Sequence, residues 1–203
     1  MIAGIITVAG REHLLNPLVE VIKPSVDELR IFTDTERRGN WFNMNRCMDE
    51  MLNLAKQDEP VLITCDDVIT VKDWRMRWEE IHSRAKDNIY VMMSRQKHMF
   101  TIPNIRRGYV TRCQPRGFYD HAIIYINQRR FLDNVLTWFE TIGKDLETVK
   151  KRTNHFDVVM QEYMVYQGVR WTTTVPTLFN NIGDVSTLGH NIGGSPMYIG
   201  DCL

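Results

Sequence analysis

The chain has no excess of charge of either sign: its 203 residues carry 25 Lys and Arg against 25 Asp and Glu. A basic nucleic-acid coat and an acidic solvating tail are excluded as whole-chain properties, so any surface for an anionic polymer has to be a local patch. Long apolar runs are missing too. No stretch of 18 apolar residues occurs, and no membrane-spanning helix is expected. Met1 to Ala9 is apolar, but it lacks a basic lead-in and runs straight into Arg11 and Glu12, so it reads as a first strand and not as a secretion signal. Cysteine is sparse. Cys47, Cys65, Cys113 and Cys202 include no Cys-x-x-Cys pair, which argues against a zinc site or disulfide framework and for a reducing, cytoplasmic compartment. The glycine fingerprints of dinucleotide-binding folds and of P-loops are absent, as are internal repeats and low-complexity tracts.

What is present is ordinary globular composition, with 43% apolar and 10% aromatic residues, enough for one domain with a sizeable core. Ile2 to Val8, Leu29 to Thr33, Val61 to Cys65 and Ile89 to Met93 read as buried strands. Between them lie helical patterns at Leu14–Ile22 and at Asn43–Ala55, where Met44, Cys47, Met48, Met51 and Ala55 share one face. A third helix follows Asp73 as N-cap, with Trp74, Trp78, Ile81 and Ala85 inward. Residues 1–93 therefore read as βαβαβαβ, which predicts an α/β fold with a largely parallel sheet and helices on its faces. Further on, Tyr109–Thr111 and Ala122–Ile126 read as strands. Phe131, Val135, Trp138, Phe139 and Ile142 mark a helix, Phe156–Tyr166 another, and Trp171–Val175 a last strand. The tail from Gly183 is rich in Gly and Ser. The expected organisation is a single domain over 1–203, with a nucleotide-binding half at 1–93, an acceptor-side half at 94–182 and a tail at 183–203.

Asp66 and Asp67 close an apolar strand, the place where open α/β sheets bind ligands. Two adjacent carboxylates there suit a hard divalent cation such as Mg²⁺ or Mn²⁺ bridging phosphates; the alternative is a solvated turn. Arg11 follows the first strand and Asp34 ends the second, so both belong to the same sheet edge. With Thr7 they are candidates to hold a base and ribose. Residues 94–119 contain no acid but carry Arg95, Lys97, Arg106, Arg107, Arg112 and Arg116, with Phe100, Tyr109, Phe118 and Tyr119 between them. Such a segment can meet phosphates and stack on exposed bases, or its charges can pair with acids elsewhere in the fold. Asp157 has two readings. Asn154-x-x-Asp157 fits a capping box, and a carboxylate there can also serve as the general base toward an acceptor hydroxyl.

The order of these pieces resembles the glycosyltransferases of the GT-A fold. The residues that carry the resemblance are Thr7-Val8-Ala9-Gly10-Arg11, Asp34, Gly39-Asn40-Trp41-Phe42-Asn43, Asp66-Asp67-Val68, and Pro176 to Gly183 followed by Ser186-Thr187. It implies a GT-A-like, Rossmann-type sandwich whose mixed, largely parallel sheet binds a nucleotide sugar, usually a UDP-sugar. Thr7, Arg11, Asp34, Asn43 and Asp66 are implied as donor-binding residues. Asp66 and Asp67 stand where the family has an acidic metal motif, here without its middle spacer. Asn181 stands where some small members have a histidine, and His190, nine residues later, is a substitute metal ligand. Asp157 opens a helix in this order, and its reading as general base applies to an enzyme that inverts the anomeric centre. The small size is similar to that of phage enzymes that glycosylate hydroxymethylpyrimidines, which implies double-stranded DNA with modified bases as acceptor and residues 95–116 as its contact. The rival readings are a glycan-modifying transferase of the same fold, a nucleotidyltransferase (for which Ala9-Gly10-Arg11 is a poor glycine-rich loop) and a non-enzymatic nucleic-acid-binding protein.

Overall fold

The computed structural model describes residues 1–93, 101–112, 122–126, 130–150 and 156–182. The first half runs β1 (Ile2–Val8), α1 (Glu12–Ile22), β2 (Glu28–Asp34), α2 (Asn40–Leu54), β3 (Pro60–Cys65), β4 (Val68–Thr70), α3 (Trp74–Ala85) and β5 (Ile89–Val91). The second runs α4 (Ile102–Arg107), β6 (Tyr109–Arg112), β7 (Ala122–Ile126), α5 (Arg130–Thr141), α6 (Glu147–Lys150), α7 (Phe156–Gln167), β8 (Trp171–Thr174) and β9 (Phe179–Asn181). Seven strands form one sheet in the order β2-β1-β3-β7-β5-β8-β6, and β4 and β9 form a separate two-stranded ribbon.

The sheet is mixed. Strands β2, β1, β3, β5 and β8 run one way, while β7 and β6 run against them. The βαβ alternation predicts the parallel part correctly. It does not predict that β7 inserts between β3 and β5, pairing Ile63 with Ile123 on one side and Val91 with Ile123 on the other. Ala122 to Tyr125 is buried throughout, as a central strand must be.

Helices cover both faces. On one, α2, α5 and α7 pack over Ile2, Ile6, Val61 and Ile63; Met44, Cys47, Met48 and Met51 of α2 are fully buried there. On the other, α1 and α3 cover Ala3, Ile5, Leu62 and Tyr90. Trp74 and Trp78 are core residues, with Trp74 meeting Phe179 edge-on at 5.6 Å.

Several local expectations change. Asp73 does occupy the N-cap position of α3, but its carboxylate makes no cap bond. It accepts from Arg77 Nε at 2.8 Å instead, because a charged partner one turn on outcompetes a neutral amide. Ile142 lies past the end of α5 and is 38% exposed. The chain turns beneath the Trp138 indole, where a Cβ on Gly143 would come within 2.6 Å of the ring. Helix α4 and the β4–β9 ribbon have no counterpart in the sequence pattern.

Candidate active site

The parallel strands end in a row, and that row carries the candidate residues. Val8 of β1 lies opposite Asp34 of β2, and Ile6 of β1 lies opposite Cys65 of β3. Asp66 follows directly and its N–H donates to the Ile6 carbonyl at 3.1 Å, extending the ladder by one bond. Adjacent strands lie about 4.8 Å apart, so Asp34 and Asp66 stand roughly 10 Å from each other across β1.

Asp66 is 1% exposed and Asp67 is 7% exposed. Thr7 Oγ1 donates to Asp66 Oδ2 at 2.5 Å. The Arg11 guanidinium spans both acids, with Nη1 at 3.1 Å from Asp66 Oδ1 and Nη2 at 3.6 Å from Asp67 Oδ2. Burial pushes the Asp66 carboxyl above the ordinary carboxylate value, against the pull of the Thr7 hydroxyl and of Arg11, and the neighbouring Asp67 adds to the push. This is chemistry beyond that of a solvated turn: two shielded carboxylates gathered around one cation.

The β4–β9 ribbon explains how the C-terminal segment reaches this place. Val68 pairs with Asn181, and the Ile182 N–H donates to the Asp67 carbonyl at 2.9 Å. Asn181, matched in the sequence to a family histidine, is therefore brought beside the acidic pair. His190, Ser186 and Thr187 lie outside the described residues.

Asp34 is 3% exposed and caps the loop that enters α2. Its Oδ1 accepts the Arg38 N–H at 3.0 Å and its Oδ2 accepts the Gly39 N–H at 2.8 Å. The loop reaches this form through left-handed residues, Arg37 at φ 54 and Gly39 at φ 99. Burial works against the ionised Asp34, but the Gly39 and Arg38 amides, joined by the charges of Arg38 and Arg46, outweigh it and hold its pKa below the ordinary value. The carboxylate therefore contributes stability that is complete above about pH 3.9, the unfolded value, and is lost as pH falls through the lowered folded value. Asp34→Ala is expected to cost about 1–3 kcal/mol in urea unfolding at pH 7. The gap between variant and wild type should narrow by pH 3; an equal gap at both pH values would remove the charge from this account.

Asn43 has a supporting position. Its Nδ2 donates to the carbonyls of Thr7 at 3.2 Å and Phe32 at 2.9 Å, and its Oδ1 accepts from Arg46 Nη2 at 3.0 Å. It ties the ends of β1 and β2 together, so it shapes the donor-side edge from beneath.

Asp157 sits in the first turn of α7, with its Oδ1 accepting the Val158 N–H at 2.9 Å. The capping partner suggested by the sequence, Asn154, is outside the described residues. Contact of Phe156 with Trp41, at the start of the helix that follows β2, puts the N-terminus of α7 near the carboxyl edge of the sheet. Phe156 is fully buried and lies 5.5 Å from the Trp41 ring at the start of α2.

The basic segment divides. Arg106 and Arg107 are exposed in the last turn of α4, and Tyr109 just beyond them pairs with Thr174 at the acidic-pair edge. Four strand spacings separate β6 from β3, or roughly 19 Å. Arg112 pairs through its backbone with Trp171, toward the opposite edge of the sheet. Arg95, Lys97 and Arg116 lie outside the described residues. One neighbour escapes sequence reasoning: Arg84, at the end of α3, lies 5.8 Å from the Tyr109 ring, with Arg107 at 6.0 Å. Only the fold joins a helix end to a strand this far along the chain.

No family model and no curated protein sequence matches the chain. Solved structures share its architecture at low identity. Residues 1–349 of TarS from S. aureus superpose with a TM-score of 0.54 at 10% identity, over 88% of this chain and 59% of that one. A candidate glucose-1-phosphate thymidylyltransferase from Bacillus anthracis, solved with sucrose, gives 0.49 at 12% identity over 89% of each chain. The glycosyltransferase GlyE of Streptococcus pneumoniae gives 0.46 at 10% identity, over 84% of this chain and 44% of that one. The sheet order and the TarS superposition together establish the architecture: this chain has a GT-A-like α/β fold, with its acidic pair at the carboxyl edge of a mixed, mostly parallel sheet.

Proposed function

We propose that the protein is a nucleotide-sugar-dependent glycosyltransferase that moves a sugar from a UDP-sugar to a hydroxyl acceptor. The observation that carries this reading is the row formed by Asp34, Thr7 with Arg11, and Asp66-Asp67 across the ends of three adjacent strands. Its span of roughly 10 Å suits a nucleoside at one end and its diphosphate at the other. The GT-A-like fold, shared with TarS, supports the same reading.

In this reading Asp34 accepts from the base or ribose. Each of its oxygens already takes one amide and has a second lone pair to offer. Asn43 keeps the strand ends in register beneath the nucleoside. Asp66 and Asp67 are the residues that would hold Mn²⁺ or Mg²⁺. They supply the hard oxygen donors such ions take, and they already gather a positive group in Arg11. When bound, the metal supplies charge that offsets the departing nucleoside diphosphate. Asp157 takes the proton from the acceptor hydroxyl, which applies to an inverting transfer.

The acceptor we propose is the hydroxymethyl group of a modified pyrimidine in phage DNA, with the host cytoplasm as the site of action. Arg106 and Arg107 stand at the active edge with Tyr109, where phosphates and an exposed base would be met. A base inside a duplex must be turned out to reach the carboxylates.

The test is incubation with a panel of nucleotide sugars, Mn²⁺ and hydroxymethylcytosine-containing DNA, read by oligonucleotide mass spectrometry. The expected outcome is a mass gain of one sugar residue from a UDP-sugar. Release of free UDP without a mass gain would retain the transferase and remove DNA as acceptor. Neither mass gain nor UDP release would overturn the proposal.

A further inference from the structure

Resting on that reading, we infer that Arg11 is a resident counter-cation: it holds the Asp66-Asp67 carboxylates until a divalent ion arrives, then turns to the donor's diphosphate. Arg11 is thereby a positioning residue of the phosphate half of the site and not of the nucleoside half.

The charges set the logic. Asp66, Asp67 and Arg11 sum to one net negative charge, on two buried carboxylates. That sum attracts a divalent cation and repels a nucleoside diphosphate. A divalent ion added to the same three groups makes the sum one net positive charge, and the preference reverses. The ion and the guanidinium would draw on the same pair of carboxylates, so the arrival of one weakens the hold of the other. Asp66 Oδ2 is engaged separately by Thr7 and keeps the carboxylate in place during the exchange.

The backbone permits this as a side-chain movement alone. The Arg11 carbonyl accepts the N–H groups of Leu14 at 3.0 Å and Leu15 at 3.1 Å, which pins its main chain to the start of α1. The side chain is 21% exposed, so it is not enclosed on every side. The left-handed Gly10 before it, at φ 90, has no described residue within 4 Å of where a Cβ would stand. A guanidinium presents its donors in a planar fork that suits two oxygens of a phosphate as well as two of a carboxylate pair, so the released group has a matching destination.

A single substitution at Arg11 then acts in opposite directions on the two ligands. In Arg11→Ala, the Kd for Mn²⁺ alone, followed by the electron paramagnetic resonance signal of free Mn²⁺, is expected to fall about tenfold. In the same variant the Kd for UDP at saturating Mn²⁺, measured calorimetrically, is expected to rise about tenfold. Arg11→Lys, which keeps the charge without the fork, should restore most of the weaker Mn²⁺ binding and little of the UDP binding. Unchanged or weaker Mn²⁺ binding in a variant with wild-type thermal unfolding overturns the inference, as does unchanged UDP affinity or an absence of Mn²⁺ binding in both proteins. The Mn²⁺ arm uses no nucleotide. A wild type that binds Mn²⁺ but no UDP therefore refutes the donor reading, while the competition at the carboxylates is judged separately.

Discussion

Asp67→Asn is expected to lower sugar transfer by about 10³-fold, equivalent to about 4 kcal/mol of transition-state stabilisation. The fold should barely notice. The backbone bond that anchors the C-terminal segment here comes from the Asp67 carbonyl, which asparagine retains, and the lost ion pair is the longer of the two, at 3.6 Å. Thermal unfolding should move by no more than about 2–4 °C, the shift that roughly 1 kcal/mol produces in a chain of this size. Asp66→Asn makes a useful contrast. It removes charge from a group that is 1% exposed and that takes both Thr7 and Arg11, so its loss of transfer should come with a clear loss of stability. Initial rates beside melting curves for the two variants separate chemistry from folding. Full transfer by Asp67→Asn would mean that the acidic pair serves the fold alone.

Asp157→Asn is expected to lower turnover by about 10²–10⁴-fold, the range of a lost general base, with UDP binding unchanged. The substitution is nearly isosteric, and the side-chain oxygen that accepts the Val158 N–H is kept, so α7 should start where it does now. Phe156, fully buried against Trp41, holds this end of the helix independently of residue 157. Single-turnover transfer and calorimetric UDP titration check the two halves of the expectation. Turnover at the wild-type rate would assign the proton to another group, or the reaction to a mechanism with no base at this position.

Much of this arrangement is legible in the sequence, for identifiable reasons. The strands ending at Val8, Asp34 and Cys65 are apolar runs closed by polar residues, and in a βαβ series their ends fall on one edge by geometry alone. That geometry is enough to place Arg11, Asp34 and Asp66-Asp67 together. The α2 stripe and the α3 tryptophans likewise follow from helical spacing. What the pattern does not carry is which strand neighbours which. Ala-Ile-Ile-Tyr-Ile at β7 looks like any doubly covered strand, and nothing in it specifies an antiparallel place between β3 and β5. The ribbon of β4 and β9 has three residues on each side, too short for a period to appear. Individual partners are also beyond a linear reading. The sequence groups Thr7 and Asn43 with the donor, yet the first bonds Asp66 and the second bonds the Thr7 and Phe32 carbonyls. Both uses arise from through-space pairs 59 and 36 positions apart.

The place of β7 also bears on how the chain is made. During synthesis from the N-terminus, β1, β2 and β3 can assemble as soon as they emerge, since each pairs with a neighbour already present. Strand β5 cannot join them. Its partners are β7, more than 30 residues later, and β8, more than 80 residues later. Until Ile126 has left the ribosome, the free side of β3 is an open apolar edge, and an open edge invites pairing with another chain. The middle strand of the finished sheet thus arrives after both of the strands it joins, and until then the growing chain carries an open apolar edge that can pair with another chain.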